Sequence, residues 1–80
     1  MRIRLRLFAS YAEAFGREEI PLDLPAGATA ADALAAVRAR PGADRLPPQP
    51  MIAVNQRYAK PDVALADGDE VALIPPVAGG

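Results

Sequence analysis

The sequence contains neither cysteine nor histidine. Without cysteine, the chain has no disulfide, no thiolate metal ligand and no cysteine nucleophile. Without histidine, a transition-metal site would have only carboxylate ligands, and the commonest general base of enzymes is missing. These absences predict that the chain has no stand-alone active site and that its side chains are poorly equipped to catalyse a reaction alone.

The sequence also has no large excess of positive or negative charge. Nine basic and ten acidic residues leave a net charge of −1. Nucleic-acid binding and polybasic membrane anchoring both need a basic surplus, so the balance argues against either partner. No apolar run approaches the roughly 18 residues of a membrane span, and no signal-peptide pattern follows Met1. We therefore expect a soluble, cytoplasmic protein.

The 80 residues, 51% of them hydrophobic, suffice for one small domain. Strands are predicted where apolar residues alternate or run together, and helices where they recur every three or four positions. The predicted strands are residues 1–8, 19–24, 51–54, 57–59 and 70–74, and the predicted helices are residues 9–15 and 30–40. Thr29 is the expected N-cap of the longer helix, and the apolar run 51–54 predicts a strand that is buried, or nearly buried, on both faces.

This order of elements predicts an α+β protein of the ubiquitin-like β-grasp fold. We expect a mixed sheet of four to five strands with one main helix on one face. The first and last strands would be parallel neighbours at the centre of the sheet. Pro21 places the second strand at an edge. The domain is expected to cover residues 1–75, with residues 76–80 as a flexible C-terminal tail.

The last two residues of the sequence are Gly79 and Gly80. Glycine makes up about 7% of an average protein, so such a pair at given positions arises by chance about once in 200 chains. Residues without a Cβ can enter a narrow channel, and Pro75-Pro76 would stiffen the chain as it leaves the last strand. Residues 76–80 could extend roughly 17 Å into a partner's active site. The alternative is a frayed terminus without function.

Two segments carry a resemblance to a known family, namely residues 51–56 (M-I-A-V-N-Q) and residues 67–80 (D-G-D-E-V-A-L-I-P-P-V-A-G-G). The beginning, Leu7-Phe8-Ala9 with the short helix after it, fits the same family. The sequence resembles the small subunit of molybdopterin synthase (MoaD), a family of β-grasp sulfur carriers related to ThiS and to ubiquitin-like proteins. Residues 17–50 match only in pattern.

The resemblance implies a sulfur carrier whose catalytic residues are Gly80 and Gly79. A MoeB-like activating enzyme would adenylate the Gly80 carboxylate with ATP, and a sulfur donor system would convert it to a thiocarboxylate. A large, MoaE-like synthase subunit would dock the domain, and the sulfur would pass to cyclic pyranopterin monophosphate to form the molybdopterin dithiolene. No cofactor or metal is expected on this chain itself.

A carrier also needs a surface for its partners. Phe8, Tyr58 and Ile74 are large apolar residues that the strand pattern places on the side of the sheet opposite the helix, near the root of the tail. Such a cluster marks a binding site, although exposed apolar residues are common. The predicted partner-binding residues are Phe8, Tyr58, Ile74, Pro75, Pro76, Val77 and Ala78.

The charged residues near this surface have less specific interpretations. Arg2, Arg4 and Arg6 form a stripe expected to pair with Glu19 and Asp23 across the strands, or to steer an acidic partner. The acidic residues 67, 69 and 70 lack the spacing of a calcium loop. We interpret them as turn residues and as contacts for the activating enzyme.

Several functions share a Gly-Gly end. A β-grasp sulfur carrier for thiamine or for tRNA thiolation, or a protein-conjugating modifier, would have the same terminus. A plain β-grasp interaction module, whose terminus does nothing, is an alternative of a different class. The P-P-V-x-G-G context and the apolar residues of the outer face favour the molybdopterin pathway.

Overall fold

The predicted segments form five strands and two α-helices. A computed structural model describes residues 1–76 of the protein. The elements are β1 (Arg2–Leu7), α1 (Ala9–Phe15), β2 (Glu19–Asp23), α2 (Ala30–Arg38), a 3₁₀ turn (Ala43–Arg45), β3 (Met51–Val54), β4 (Arg57–Tyr58) and β5 (Glu70–Ile74). Val77, Ala78, Gly79 and Gly80 lie outside the described residues, as does most of the predicted tail.

The strands form one mixed sheet in the order β2-β1-β5-β3-β4. The two central strands, β1 and β5, are parallel, with Leu5 opposite Val71 and Leu7 opposite Leu73. All other pairs are antiparallel. The predicted α+β fold, with the first and last strands as central neighbours and Pro21 on an edge strand, is therefore confirmed.

The core lies between one face of the sheet and α2. Alternation along β1 turns its three apolar residues into the core and its three arginines away from it. The buried residues of α2 are small, namely Ala30, Ala33 and Val37. The largest fully buried side chains are Ile3, Leu5, Ile20, Val37, Val71 and Leu73.

The start and the end of α2 are fixed by two different interactions. The Thr29 hydroxyl accepts a hydrogen bond from the Asp32 backbone N–H, and the Asp32 carboxylate accepts one from the Thr29 N–H, which forms the predicted capping interaction. The helix ends at Arg38, two residues before the predicted end at Arg40. The guanidinium of Arg38 donates to the carbonyl oxygens of Pro47 and Pro48, and this fastens the proline-rich loop to the helix.

One local feature differs from the sequence-based prediction, and a second differs at a single residue. Residues 43–45 form a 3₁₀ turn inside the segment predicted as loop. The strand β3 is nearly buried on both faces, as predicted, because its neighbours Ile52 and Ala53 point to opposite faces and are each 4% exposed, but Met51 at its start is 49% exposed. The reason is that only one face of the sheet is covered by a helix, so alternate positions of the apolar run face outward.

Gly42 holds the chain where it passes close to α1. Its φ is +98°, in the region that favours glycine, and a Cβ at this position would overlap the backbone carbonyl oxygen of Ala14. Gly27 has a similar φ of +86° but faces open space. The two positions therefore share the conformational requirement and differ in steric contact.

We predict that Gly42→Ala lowers the free energy of unfolding by about 3 kcal/mol, because the new methyl group adds overlap to the cost of a left-handed alanine. The matched variant Gly27→Ala should lose only about 1 kcal/mol, which is the conformational cost alone. Chemical denaturation followed by circular dichroism measures both values. Equal losses would show that the close approach to Ala14 does not contribute.

Candidate functional site

The face of the sheet opposite α2, called the open face below, carries the predicted apolar residues. Phe8, Tyr58 and Ile74 line one depression of about 400 Å³ on this face. We call it the docking depression, and its lining residues are Arg6, Phe8, Ala53, Gln56, Tyr58, Glu70, Ala72 and Ile74. The structure thus brings together three residues that are 50 and 16 positions apart in the chain.

Strand register explains how these residues meet. Ala53 of β3 lies opposite both Ala72 of β5 and Tyr58 of β4, so the three share one row across the sheet. Tyr58 stands at the end of this row on the edge strand and is 75% exposed. The small side chains of Ala53 and Ala72 beside it leave the depression open. Phe8 is 39% exposed and occupies the extended N-cap position of α1, directly after β1 ends.

Met51 belongs to the same surface, and the sequence analysis did not single it out. It lies opposite Ile74 in the β3–β5 register and is half exposed. The signal was present in the alternation of β3, because Met51 and Ala53 have the same phase as Ile74 and Ala72 once the two strands are paired. Because residues 51–54 are all apolar, the sequence alone did not show which of them alternate toward the open face.

The root of the predicted tail lies beside this surface. β5 is the middle strand of the sheet, and Pro75 and Pro76 follow it directly. Ile74 and Pro76 line a second depression of about 350 Å³ together with Tyr11, Pro50 and Met51, among others. Because Ile74 borders both depressions, the chain leaves the sheet next to the exposed apolar residues.

Charged side chains border the docking depression on its β1 side. The Arg6 guanidinium lies 3.4 Å from the Glu70 carboxylate and 5.2 Å from the centre of the Phe8 ring. The expected ion pair between the arginine stripe and Glu19 is not formed within residues 1–76, although Arg6 and Glu19 are register partners. Glu70 is on the central strand and its side chain is only 14% exposed, so this carboxylate has fewer water partners.

The expected pair at the far end of the stripe is confirmed. The guanidinium of Arg2 donates to both carboxylate oxygens of Asp23, at 2.9 and 3.0 Å. These hydrogen bonds lower the pKa of Asp23 and raise that of Arg2. Both side chains are largely exposed, so the pair contributes little to stability.

The β3–β4 hairpin turns at Asn55 and Gln56, whose φ values of 49° and 70° are both positive. This is the conformation of a two-residue type I′ hairpin. The Asn55 side chain fixes the turn, because its amide nitrogen donates to Asp69 (2.9 Å) and its oxygen accepts from the backbone N–H of Glu70 (3.0 Å). Gln56 is thereby held at the border of the docking depression.

Asp69 is the acidic residue with the most contacts in the 67–70 turn. Its carboxylate accepts from the Ala66 backbone N–H at 2.8 Å and from Asn55. The backbone hydrogen bond first, and then the Asn55 amide, lower the pKa of Asp69. Asp67 likewise accepts a backbone hydrogen bond, from Arg2. Asp67 and Asp69 are therefore turn residues, as predicted, whereas the same prediction was wrong for Glu70, which is the first residue of β5 and pairs with Arg4 in the sheet.

The described part of the chain contains neither a metal-binding cluster nor a membrane-spanning helix. Residues 1–76 contain no group of three acidic side chains arranged to hold a metal ion. None of the helices in these residues is long and apolar enough to cross a membrane.

The sheet has five strands, and the first and last strands of the chain are parallel neighbours at its centre. With one helix packed on one face and an apolar open face, this architecture defines a ubiquitin-like β-grasp protein. The profile of the ThiS family matches residues 5–80, nearly the whole chain. The chain belongs to the ThiS family, which confirms the family relationship inferred from the sequence motifs.

Individual relatives agree with this assignment. The chain is 41% identical to a molybdopterin synthase sulfur carrier subunit of Chlamydomonas reinhardtii, and the match covers all of both chains. A protein of the same name from Arabidopsis thaliana is 28% identical over all of this chain and 84% of its own length. Among solved structures, SAMP1 of Haloferax volcanii, a small archaeal modifier protein, superimposes with a TM-score of 0.87 at 35% identity and full coverage of both chains.

We predict that Asn55→Ala raises the pKa of Asp69 toward its ordinary value of about 3.9, because one of the two hydrogen bonds to the carboxylate is lost. In the native protein, the lowered pKa contributes stability above pH 4, approximately, and this stability disappears as the pH falls through the folded-state value. The variant should therefore lose less stability on acidification. NMR titration of the Asp69 carboxyl carbon measures the pKa directly. Glu13→Gln on α1 is the control, and an equal change in both variants would contradict the assignment.

Proposed function

We propose that this chain is the sulfur carrier subunit of molybdopterin synthase. The observation that carries the proposal is the 41% identity, over the full length of both chains, to a protein of that name. The Gly79-Gly80 pair after β5 and the apolar open face supply the two features that a carrier needs, a reactive end and a recognition surface.

The proposed chemistry takes place at the Gly80 carboxyl group. A carboxylate oxygen attacks the α-phosphorus of ATP on the activating enzyme, which forms an acyl adenylate and releases pyrophosphate. A sulfur nucleophile from the donor system then attacks the acyl carbon, and AMP leaves. The product is a thiocarboxylate, whose sulfur is a better nucleophile than a carboxylate oxygen and attacks the pterin precursor, cyclic pyranopterin monophosphate. These reactions are expected in the cytoplasm.

The contribution of this chain is access and presentation. Four residues beyond Pro76 span roughly 14 Å when extended, enough to carry the carboxyl group into a partner's active site. Gly79 and Gly80 have no Cβ and fit a narrow channel. The ATP site belongs to the MoeB-like activating enzyme, since this sequence has no glycine-rich phosphate loop.

The open face is the proposed docking surface for the large, MoaE-like subunit and for the activating enzyme. Tyr58, Met51 and Phe8 are the large hydrophobic residues that remain exposed within residues 1–76, and all three are on or next to this face. Aromatic residues and Met are enriched at protein interfaces. Partners that bind here would lie beside Pro75 and Pro76, where the tail begins.

A protein modifier is the second candidate, and the likeness to SAMP1 favours it. In that function a lysine amine of a target protein, instead of sulfur, would attack the activated Gly80 acyl group and form an isopeptide bond. The two functions share activation and differ in the final acceptor. The product therefore distinguishes them, since one is a thiocarboxylate and the other a conjugate.

We predict that incubation with a MoeB-like enzyme, ATP and a sulfur donor increases the intact mass by the difference between sulfur and oxygen. A chain that lacks Gly80, or that carries one extra residue after it, should show no gain, because the reactive carboxyl group is absent or displaced. Ala35→Ser, on the exposed side of α2, is the matched control and should react like the wild type.

The acceptor is identified in the same experiment. Adding the large subunit and cyclic pyranopterin monophosphate should consume the thiocarboxylate and yield molybdopterin. No mass gain with an enzyme shown to be active on its own carrier would refute the carrier function. A mass gain without transfer to the pterin would instead support a thiamine, tRNA or protein-modifier pathway.

We predict that Tyr58→Ala and Met51→Ala each weaken binding to the large subunit by about tenfold, since each removes a large apolar contact. Both side chains are exposed, so the free energy of unfolding should change by less than about 0.5 kcal/mol. Arg57→Ala is the matched control, because strand alternation turns Arg57 away from the face that Tyr58 occupies. Calorimetric titration measures the affinities, and an equal effect of all three variants would place docking elsewhere.

A further inference from the structure

The open face has a polar end next to the docking depression. Arg4, Asn55, Gln56 and Glu70 line a separate depression of about 170 Å³, called the polar depression below. Gln56 and Glu70 line both depressions, so the two lie side by side. A partner that fills the apolar part therefore brings its neighbouring residues over the polar part.

The arginine stripe is neutralised at only two of its three positions. Arg2 pairs with Asp23 and Arg6 with Glu70. Arg4 stands between them on the same strand face, is exposed, and forms no ion pair within residues 1–76. Its neighbours across the strands are Pro21, which has no charge, and Glu70, whose carboxylate is bonded to Arg6. The positive charge of Arg4 is thus available to a partner.

Gln56 occupies a backbone conformation that a glycine would adopt at lower cost. Its φ is +70° at the second central position of a type I′ turn, where glycine is the preferred residue. Left-handed backbone in other residues is unfavourable and persists where the surrounding structure imposes it, often at functional sites. The Asn55 side chain imposes it here, and the consequence is that a side-chain amide is placed in the polar depression.

The donors of the polar depression define the ligand that it fits. The Asn55 amide is held in the turn, because one of its N–H groups donates to Asp69 and its oxygen accepts from the backbone N–H of Glu70. The Arg4 guanidinium and the Gln56 amide form no side-chain hydrogen bond within residues 1–76 and remain as donors. We infer that Arg4 and Gln56 bind a carboxylate side chain of the large subunit, next to the apolar segment that occupies the docking depression. This inference rests on the proposed function and adds a specificity-determining polar contact to it.

The test is the affinity of the full chain for the large subunit at low and high salt. Arg4→Gln is expected to weaken binding about fivefold at low salt and to reduce its salt dependence, because one charge pair across the interface is lost. Arg17→Gln, which removes an exposed charge outside the open face, is the matched control and should change neither. Restored binding between Arg4→Glu and a partner variant with an arginine in place of one acidic residue would identify the carboxylate.

The Gln56 contact has its own signature. Gln56→Gly is expected to weaken binding about threefold through the lost hydrogen bond, while the melting temperature stays the same or rises because the unfavourable φ is relieved. A purely structural role of Gln56 would lower affinity and melting temperature together, and this would overturn the inference.

An Arg4→Gln affinity equal to that of the Arg17→Gln control would also overturn it and leave the proposed function intact. A wild-type chain that does not bind the large subunit refutes the proposed docking and this inference with it, while the mass-gain assay still tests the carrier chemistry independently.

Discussion

The parallel pairing of β1 with β5 is the contact on which the rest of the structure depends. It joins residues 4–7 to residues 70–73, so the sheet cannot be completed until both ends of the domain are present. Their inward residues, Leu5, Leu7, Val71 and Leu73, are almost completely buried and form the centre of the core. The same pairing places Phe8, at the end of β1, near Ile74, at the end of β5. The pairing that forms the centre of the core therefore also brings together two residues of the docking depression.

Because α2 covers only one face of the sheet, the core lies on that face and the open face is left for the proposed docking of partners. α2 packs its small residues on the inward face, and the outward face keeps its alternating pattern of arginine on β1 and apolar residues on β5, β3 and β4. Exposed side chains of the outward face, such as Tyr58 and Met51, contribute little to the core. This separation lets a small domain present a large apolar contact without depending on it for folding. The turn at Asn55 and Gln56 is an exception to this separation. It borders the open face, but the hydrogen bonds of Asn55 to Asp69 and Glu70 also tie it to the start of β5.

Proximity along the surface connects recognition with the proposed chemistry. The chain leaves the middle strand of the sheet at Pro75 and Pro76, directly beside Ile74 and Met51. A partner that binds the open face would therefore hold the root of the tail at a fixed position. In the proposed function, the activating enzyme and the large subunit would both need the Gly80 carboxyl group at a defined distance from their active sites. A surface at the root of the tail meets that requirement better than one on α2.

The sequence by itself determined the strands, both helices, the class of fold and the residues of the proposed reactive end. Alternation in β1, the capping residue Thr29 and the glycine pair are local signals, because each depends on a few neighbouring residues. Register and side-chain partners were decided only by the tertiary structure. The Arg6 guanidinium contacts Glu70 and not Glu19, because β5 lies beside β1. Met51 lies on the open face because β3 pairs with β5 and no helix covers that side within the described residues. The polar depression likewise combines residues from β1, the β3–β4 turn and β5, and no local pattern reveals contacts between segments that only the completed sheet brings together.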